Sequence, residues 1–414
     1  MDNLPQQWPA TRREFLGLTA RGIGLLAFTR YAPAFLTALA RAGVPPPRPD
    51  ASILVLVQLA GGNDGLNTLV PFADDRYYRL RPTLGIPKEQ VLRLDDRVGF
   101  NPAAAALHRL AQDGRLAIVQ NVGYPNPNRS HFRSTDIWET ASGSDEVLNT
   151  GFVGRYFDAC CSGAPAGGDP LGVHTTGEIP EAFLAEREHA TFGVSNLAGR
   201  VPRQEPQALL ESLLGRDPGG ETADASFLRH TMMDALVTER KVAQLLGDYH
   251  PAADYPAGAF GAELRQVAAL IAGGLPTRVY FVSLGGFDTH VGQAPRQAAL
   301  LKTLGEGLAA FQRDLAAHRL ADQVIAMTFS EFGRRPMEND GKGTDHGTSA
   351  PLFVLGSRVR GGLHGAAPDL GVGRNQDLAH GIDFRQVYAT VIDRWLGGDS
   401  AAVLGHRFAA LDFL

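Results

Sequence analysis

Residues 279–292 read VYFVSLGGFDTHVG. Val279-Tyr280-Phe281-Val282 is a continuous apolar run, as in a strand covered on both faces. Gly285-Gly286 then end the run, and Asp288 and His290 come next. Taken alone this is turn chemistry, because paired glycines bend the chain and an acid caps the next turn. The reading changes if other apolar runs end the same way.

They do. Ile53-Leu54-Val55-Leu56-Val57 leads into QLAGGNDGLN, with Asp64 between glycines. Leu116-Ala117-Ile118-Val119 leads into NVGYPNPNRSHFRSTDIWET, with Ser130, His131 and Ser134. Val324–Phe329 leads into SEFGRRP, with Ser330, Glu331, Arg334 and Arg335. The segment GTDHGTSAP, holding Asp345 and His346, leads into a fifth run, Leu352–Leu355. Between the runs lie helical patterns. Asn101-Pro102 is a cap-and-first-turn pair. Leu300, Leu301, Leu304, Leu308, Phe311 and Leu315 recur at helical spacing. Asp383 caps a last helix at DFRQVYATVIDRWLG. Strands alternating with helices predict an α/β fold, a mostly parallel sheet flanked by helices on both faces. A helical insertion is expected at about 195–275. Sites in such sheets form beyond the carboxyl ends of the strands, so these residues are expected to share one polar pocket.

A net charge of −5 and the lack of a basic face argue against nucleic-acid binding. The two cysteines, Cys160 and Cys161, are adjacent, which excludes a disulfide framework and a Cys-rich zinc site. They are expected as two thiols, with a vicinal disulfide as the alternative. Near the start, TRREFLGLTARGIGLLAF resembles a twin-arginine export signal. Its apolar part is short and carries Arg21, so it does not span a membrane. The expected organisation is a signal over 1–42, a Pro-rich spacer over 43–50 and a single domain over 51–414. The expected partners are the twin-arginine translocase during export and a small-molecule or polymer ester substrate. Periplasmic or secreted localisation is expected with it, without stable membrane insertion after cleavage.

Carboxylates and imidazoles without thiolates suit a divalent ion such as zinc or manganese. Asp64, Asp288, His290, Glu331 and His346 are the candidate ligands. Asp345 is the candidate for orienting His346. Ser130, at a helix start, is the candidate nucleophile, and the helix dipole there favours an anionic substrate. Arg334 is the candidate holder of the substrate's oxyanions, with Arg129, Arg133 and Arg335 as alternatives. His131 and His364 are read as ordinary surface or core histidines.

Together GGNDGLNTLVP, YPNPNRSHFRSTDIWET, GGFDTH, TFSEFGRRPMENDGKGTDHGTSAP and DFRQVYATVIDRWLG resemble the bacterial family called domain of unknown function 1501. That family is grouped with the alkaline-phosphatase-like superfamily, which includes sulfatases. The resemblance implies an alkaline-phosphatase-like core, one or two divalent ions and a Ser, Thr or modified Cys nucleophile. Position by position it implies Asp64, Asp288, His290, Glu331 and His346 as ligands and Ser130 as nucleophile. Three departures stand out. The superfamily usually spaces the acid and the histidine by three residues, whereas Asp288 and His290 have one between them. Ser330-Glu331 occupies the place of an Asp-His pair, and CCSGAP lacks the Cys-x-Pro-x-Arg pattern of sulfatases. The expected function is an exported metal-dependent hydrolase or transferase acting on a phosphate or sulfate ester. The alternative is a non-catalytic exported binding protein that keeps the fold and part of the metal site.

Overall fold

The computed structural model describes residues 52–161, 169–187, 189–194, 238–373 and 376–414. The export segment 1–42, the spacer 43–50 and residues 195–237 of the expected insertion lie outside the described residues. The described residues fall into two compact units, one of which contributes only a helix over 238–248. The other unit holds both sheets and all the candidate site residues.

Its main sheet has nine strands: β1 (Ile53–Ala60), β5 (Leu116–Gly123), β6 (Gly172–His174), β7 (Thr191–Gly193), β8 (Val279–Gly285), β9 (Val324–Phe329), β10 (Ala350–Leu355), β11 (Gly362–His364) and β12 (Ile382–Asp383). Three short strands, β2 (Leu69–Val70), β3 (Leu92–Arg93) and β4 (Gly99–Phe100), form a separate small sheet. The spatial order in the main sheet is β11-β5-β10-β9-β1-β8-β6-β7, with β12 also on β5. β1 lies at the centre, parallel to β8 on one side and β9 on the other. The sheet is mostly parallel, as expected. β10 departs, running antiparallel to both β5 and β9. That reversal explains why a site segment precedes β10 while the others come after their strands. The start of an antiparallel strand meets the carboxyl ends of its neighbours.

Strand side chains alternate between faces. Leu54, Leu56, Ala117, Val119, Val279 and Phe281 join one large core with helices α2 (His131–Thr140), α3 (Phe152–Cys160) and α6 (Phe384–Val391). Val55, Val57, Ile118, Tyr280 and Val282 are buried on the opposite face, where α1 (Ala105–Gln112), α4 (Ala259–Ala272) and α5 (Gln293–Ala317) pack. The expected caps form. Asn101 accepts from the Ala103 N–H, and Asp383 makes a reciprocal capping box with Gln386. The two cysteines correct the sequence reading, since they are joined as a vicinal disulfide where the chain leaves α3.

One buried acid in α2 makes the fold sensitive to pH. Glu139 accepts from the Ala182 N–H and has no cationic partner among the described residues. Burial pushes its pKa from the ordinary 4.5 to about 7. With the folded value above the unfolded one, the proton-bound acid favours the fold below pH 4.5, and this preference is lost as pH rises through about 7. Glu139→Gln keeps an acceptor and removes the charge. In thermal unfolding the variant should exceed wild type at pH 8 by on the order of 3 kcal/mol, and the difference should vanish only below about pH 4.

Candidate metal centre

The loops at the carboxyl edge of the sheet are brought together by close backbone approach. Gly61 has φ +115°, and a Cβ there would stand 2.3 Å from the Asp288 nitrogen. Only glycine lets the loop after β1 lie against the loop after β8. Its N–H then donates to Glu331 Oε1 at 2.7 Å.

Arg334 holds these loops in register. Its side chain is fully buried. Nε donates to the Gly62 carbonyl at 2.8 Å, Nη1 to the Thr344 carbonyl at 2.9 Å, and Nη2 to the carbonyls of Gly61 and Phe287. Nη2 also donates to Asp288 Oδ1 at 2.7 Å. This corrects the expected role of Arg334. Every guanidinium nitrogen is engaged by protein, so Arg334 positions Asp288 and does not reach out to a substrate.

Around Asp288 stand three imidazoles. His290 Nε2 is 3.0 Å and His346 Nε2 3.2 Å from Oδ1, while His131 Nε2 is 3.6 Å from Oδ2. The two nitrogens His290 Nε2 and His346 Nε2 are 2.9 Å apart. One ligand atom each from His131, Asp288 and His346 lies within 4.8 Å of the others. The structure therefore brings three of the predicted ligands together, Asp288, His290 and His346. It adds His131, which the sequence reading left among the ordinary histidines. The available signal was its place directly after Ser130, at the start of the first helix beyond β5.

The other ring nitrogens set the tautomers. His131 Nδ1 meets Glu331 Oε1 at 2.9 Å, His346 Nδ1 meets the Arg129 carbonyl at 2.8 Å, and His290 Nδ1 faces Asp345 Oδ1 at 3.4 Å. Each of those oxygens accepts only, which favours a proton on each Nδ1 and a lone pair on each Nε2; the 2.9 Å contact of His290 Nε2 with His346 Nε2 then needs a shared proton or a cation between them. Three lone pairs and a carboxylate thus converge. Apart from Arg334, nothing among the described residues donates to them. Such an excess of acceptors calls for a cation, either an added proton or a metal ion. Three imidazole nitrogens and a carboxylate are a donor set that zinc or manganese accepts. A tetrahedral ion with bonds of about 2.0–2.1 Å needs donors roughly 3.4 Å apart. The 3.0, 3.2 and 3.6 Å separations of the imidazole nitrogens from Asp288 are near this, while His290 lies outside the group of three whose ligand atoms are all within 4.8 Å of one another. Burial, with the charge of Arg334, holds His346 below the ordinary imidazole value despite the opposing pull of Asp288 and the Arg129 carbonyl. Burial would raise Asp288, but the hydrogen bond and charge of Arg334, with His346 and His290, hold it down to about 2. Both groups are therefore in the form that binds a metal at neutral pH.

Two predicted ligands are placed elsewhere. Asp64 is buried in an ion pair with Arg81, at 2.5 and 3.0 Å, and also accepts from Gln293 and the Asn67 N–H. Its carboxylate is saturated by a buried cation. Glu331 is buried one layer behind the cluster, holding His131 and the Gly61 N–H. Asp345 orients His290 and not the expected His346. Ser130 sits at the N-cap of α2, exposed, with no side-chain cap bond. Arg129 is half-exposed and bonds Asp377 Oδ2 at 3.2 Å, and Arg335 shares the same acid. His364 bonds the Arg360 carbonyl, in keeping with an ordinary histidine.

The chain belongs to the family described as "Protein of unknown function (DUF1501)", whose model matches residues 114–406. No curated protein matches it in sequence. Among solved structures it is similar to the C-terminal periplasmic domain of EcEptC from Escherichia coli, in complex with Zn. Identity there is 13% over 74% of this chain and 73% of that one, with a TM-score of 0.32. It is also similar to the lipoteichoic acid synthase LtaP from Listeria monocytogenes, at 8% identity over 74% and 65%, with a TM-score of 0.28. Likeness at this level assigns no residue a role. No helix among the described residues is long and apolar enough to cross a membrane.

Two substitutions separate ligands from supports. Glu331→Gln should leave the protein folded and weaken metal affinity by about 10–100-fold, because His131 loses its anionic partner. Asp64→Asn should leave metal content unchanged and lower stability by about 3–5 kcal/mol, because Arg81 stays buried without its counter-charge. Metal content by mass spectrometry and urea unfolding read the two effects.

Proposed function

We propose that this chain is a metal-dependent hydrolase or transferase acting on a phosphate or sulfate ester, with one divalent ion held by His131, Asp288, His290 and His346. The observation that carries the reading is the convergence of three Nε2 lone pairs on the Asp288 carboxylate. The ion is zinc or manganese and supplies a Lewis acid that neutralises developing negative charge. A single ion fits better than two, because Arg81 already neutralises Asp64.

The protein's own groups supply the rest. Ser130 is exposed at the start of α2, next in sequence to the ligand His131, and its hydroxyl is not spent on capping. It is the proposed nucleophile, attacking the phosphorus or sulfur while the leaving oxygen departs. The amino end of α2 favours the anionic group. Arg129 replaces Arg334 as the proposed oxyanion holder, since its guanidinium reaches solvent beside the cluster. Asp288 is itself almost half exposed, so the centre is open to an ester. Export through the twin-arginine translocase, with periplasmic or secreted localisation, belongs to the same proposal. It rests on the TRREFL segment.

One observation favours the second reading, a non-catalytic exported binding protein. The guanidinium in direct contact with the cluster, Arg334, is fully consumed by protein groups. A screen of p-nitrophenyl phosphate, bis-phosphate and sulfate esters, with zinc or manganese, separates the two. Turnover that falls at least 100-fold in Ser130→Ala, with metal content kept, supports the enzyme. Metal binding without turnover of any ester supports the binder. Turnover that survives Ser130→Ala rejects Ser130 as nucleophile.

A further inference from the structure

At the other end of the sheet lies a second charged feature. β5 begins at Leu116 and its far end leads to Ser130, so the residue before β5 is separated from the metal centre by the strand's length, roughly 25 Å at about 3.3 Å per residue. There the end of α1, Arg115 and the second half of α5 enclose a cleft of about 650 Å³. Arg109, Arg115 and Arg313 line it, with Asp113 as the one acid. The chain as a whole carries −5, yet this cleft carries three cations to one anion. None of the three arginines makes an ion pair among the described residues, although Arg109 and Asp113 stand one helical turn apart.

A second observation points to a ligand. Gln312 also lines the cleft and is 4% exposed. Its side-chain Nε2 is buried without a hydrogen-bond partner. Buried amide donors are nearly always satisfied, so this orphan marks a donor in need of an acceptor, and turning the carboxamide over about its last bond presents it to the cleft. Guanidinium groups pair with phosphate and sulfate oxygens through parallel N–H donors, and a carboxamide adds a neutral donor. A space of this volume is in the range of small-molecule sites and exceeds what a single inorganic anion fills.

We propose that this cleft is a binding site for a small, multiply charged oxyanion, a diphosphate or a bis-sulfate, held by Arg109, Arg115, Arg313 and the Gln312 amide. The site is independent of the metal centre and does not rest on the ester-cleaving reading.

Calorimetric titration of the full chain with pyrophosphate, and separately with a bis-sulfated disaccharide, tests it. Saturable binding of either probe is expected, weakened at least tenfold in Arg115→Gln/Arg313→Gln and kept in His290→Ala/His346→Ala. Which probe binds tells phosphate from sulfate. A second variant guards against misfolding. Gln312→Leu removes a donor that no protein group uses, so it should keep the anion-free melting temperature and lose most of the anion-induced rise. No saturable binding of either probe overturns the proposal. So does binding unchanged in the arginine variant, or binding abolished by the histidine variant.

Discussion

A single buried guanidinium organises the candidate centre. Arg334 ties the loop after β1, through Gly61 and Gly62, to the loop after β8, through Phe287 and Asp288, and to the segment before β10, through Thr344. The strand ends supply the residues, but separate turns do not by themselves converge. A buried cation without acceptors is costly, and that cost is met only when all three loops close on it. Residues 333–335 also pair with 345–347, through Arg335 N–H to Asp345 and Gly347 N–H to Gly333, which sets His346 beside Asp288. Buried Phe332 packs against the rings of both His131 and His346, which also touch each other, and fixes the remaining freedom.

The same logic decides the number of cations. Two acids that come after strands, Asp64 and Asp288, are each bonded to an arginine, but with different results. Asp64 is enclosed, saturated by Arg81, and caps the helical turn Gly65–Thr68. Asp288 shares one oxygen with Arg334 and keeps its carboxylate open toward the imidazoles. One position has become a fixed ion pair and the other leaves its carboxylate facing the imidazoles. Glu331 and Asp345 complete the arrangement from behind, as anions that hold protons on the outer ring nitrogens.

Local pattern carried most of the fold. Continuous apolar runs marked the central strands, and caps at Asn101 and Asp383 marked helix starts, because these signals depend on near neighbours. The reversal of β10 was not legible, since Leu352–Leu355 is apolar in either direction. At the site, the strand-end rule put Asp288, His290 and His346 at one edge of the sheet, where the structure brings their side chains together. The fate of Asp64 depended on Arg81, a residue 17 positions away in a different turn. The role of His131 depended on Glu331, 200 positions away. Such pairings are set by tertiary contact and leave no mark in a local motif. Arg334, read from the sequence as a holder of substrate oxyanions, is a fully buried charge bonded to the loops themselves.

The central question is what fills the space among His131, His290, His346 and Asp288. X-ray absorption at the metal edge, on protein prepared with zinc or manganese, reads that space directly. One ion per chain is predicted, with three imidazole nitrogens and one carboxylate oxygen, the nitrogens at about 2.0–2.1 Å for zinc. A spectrum of water oxygens alone, or of fewer than two imidazoles, would contradict it. The converging imidazoles would then be held by a proton.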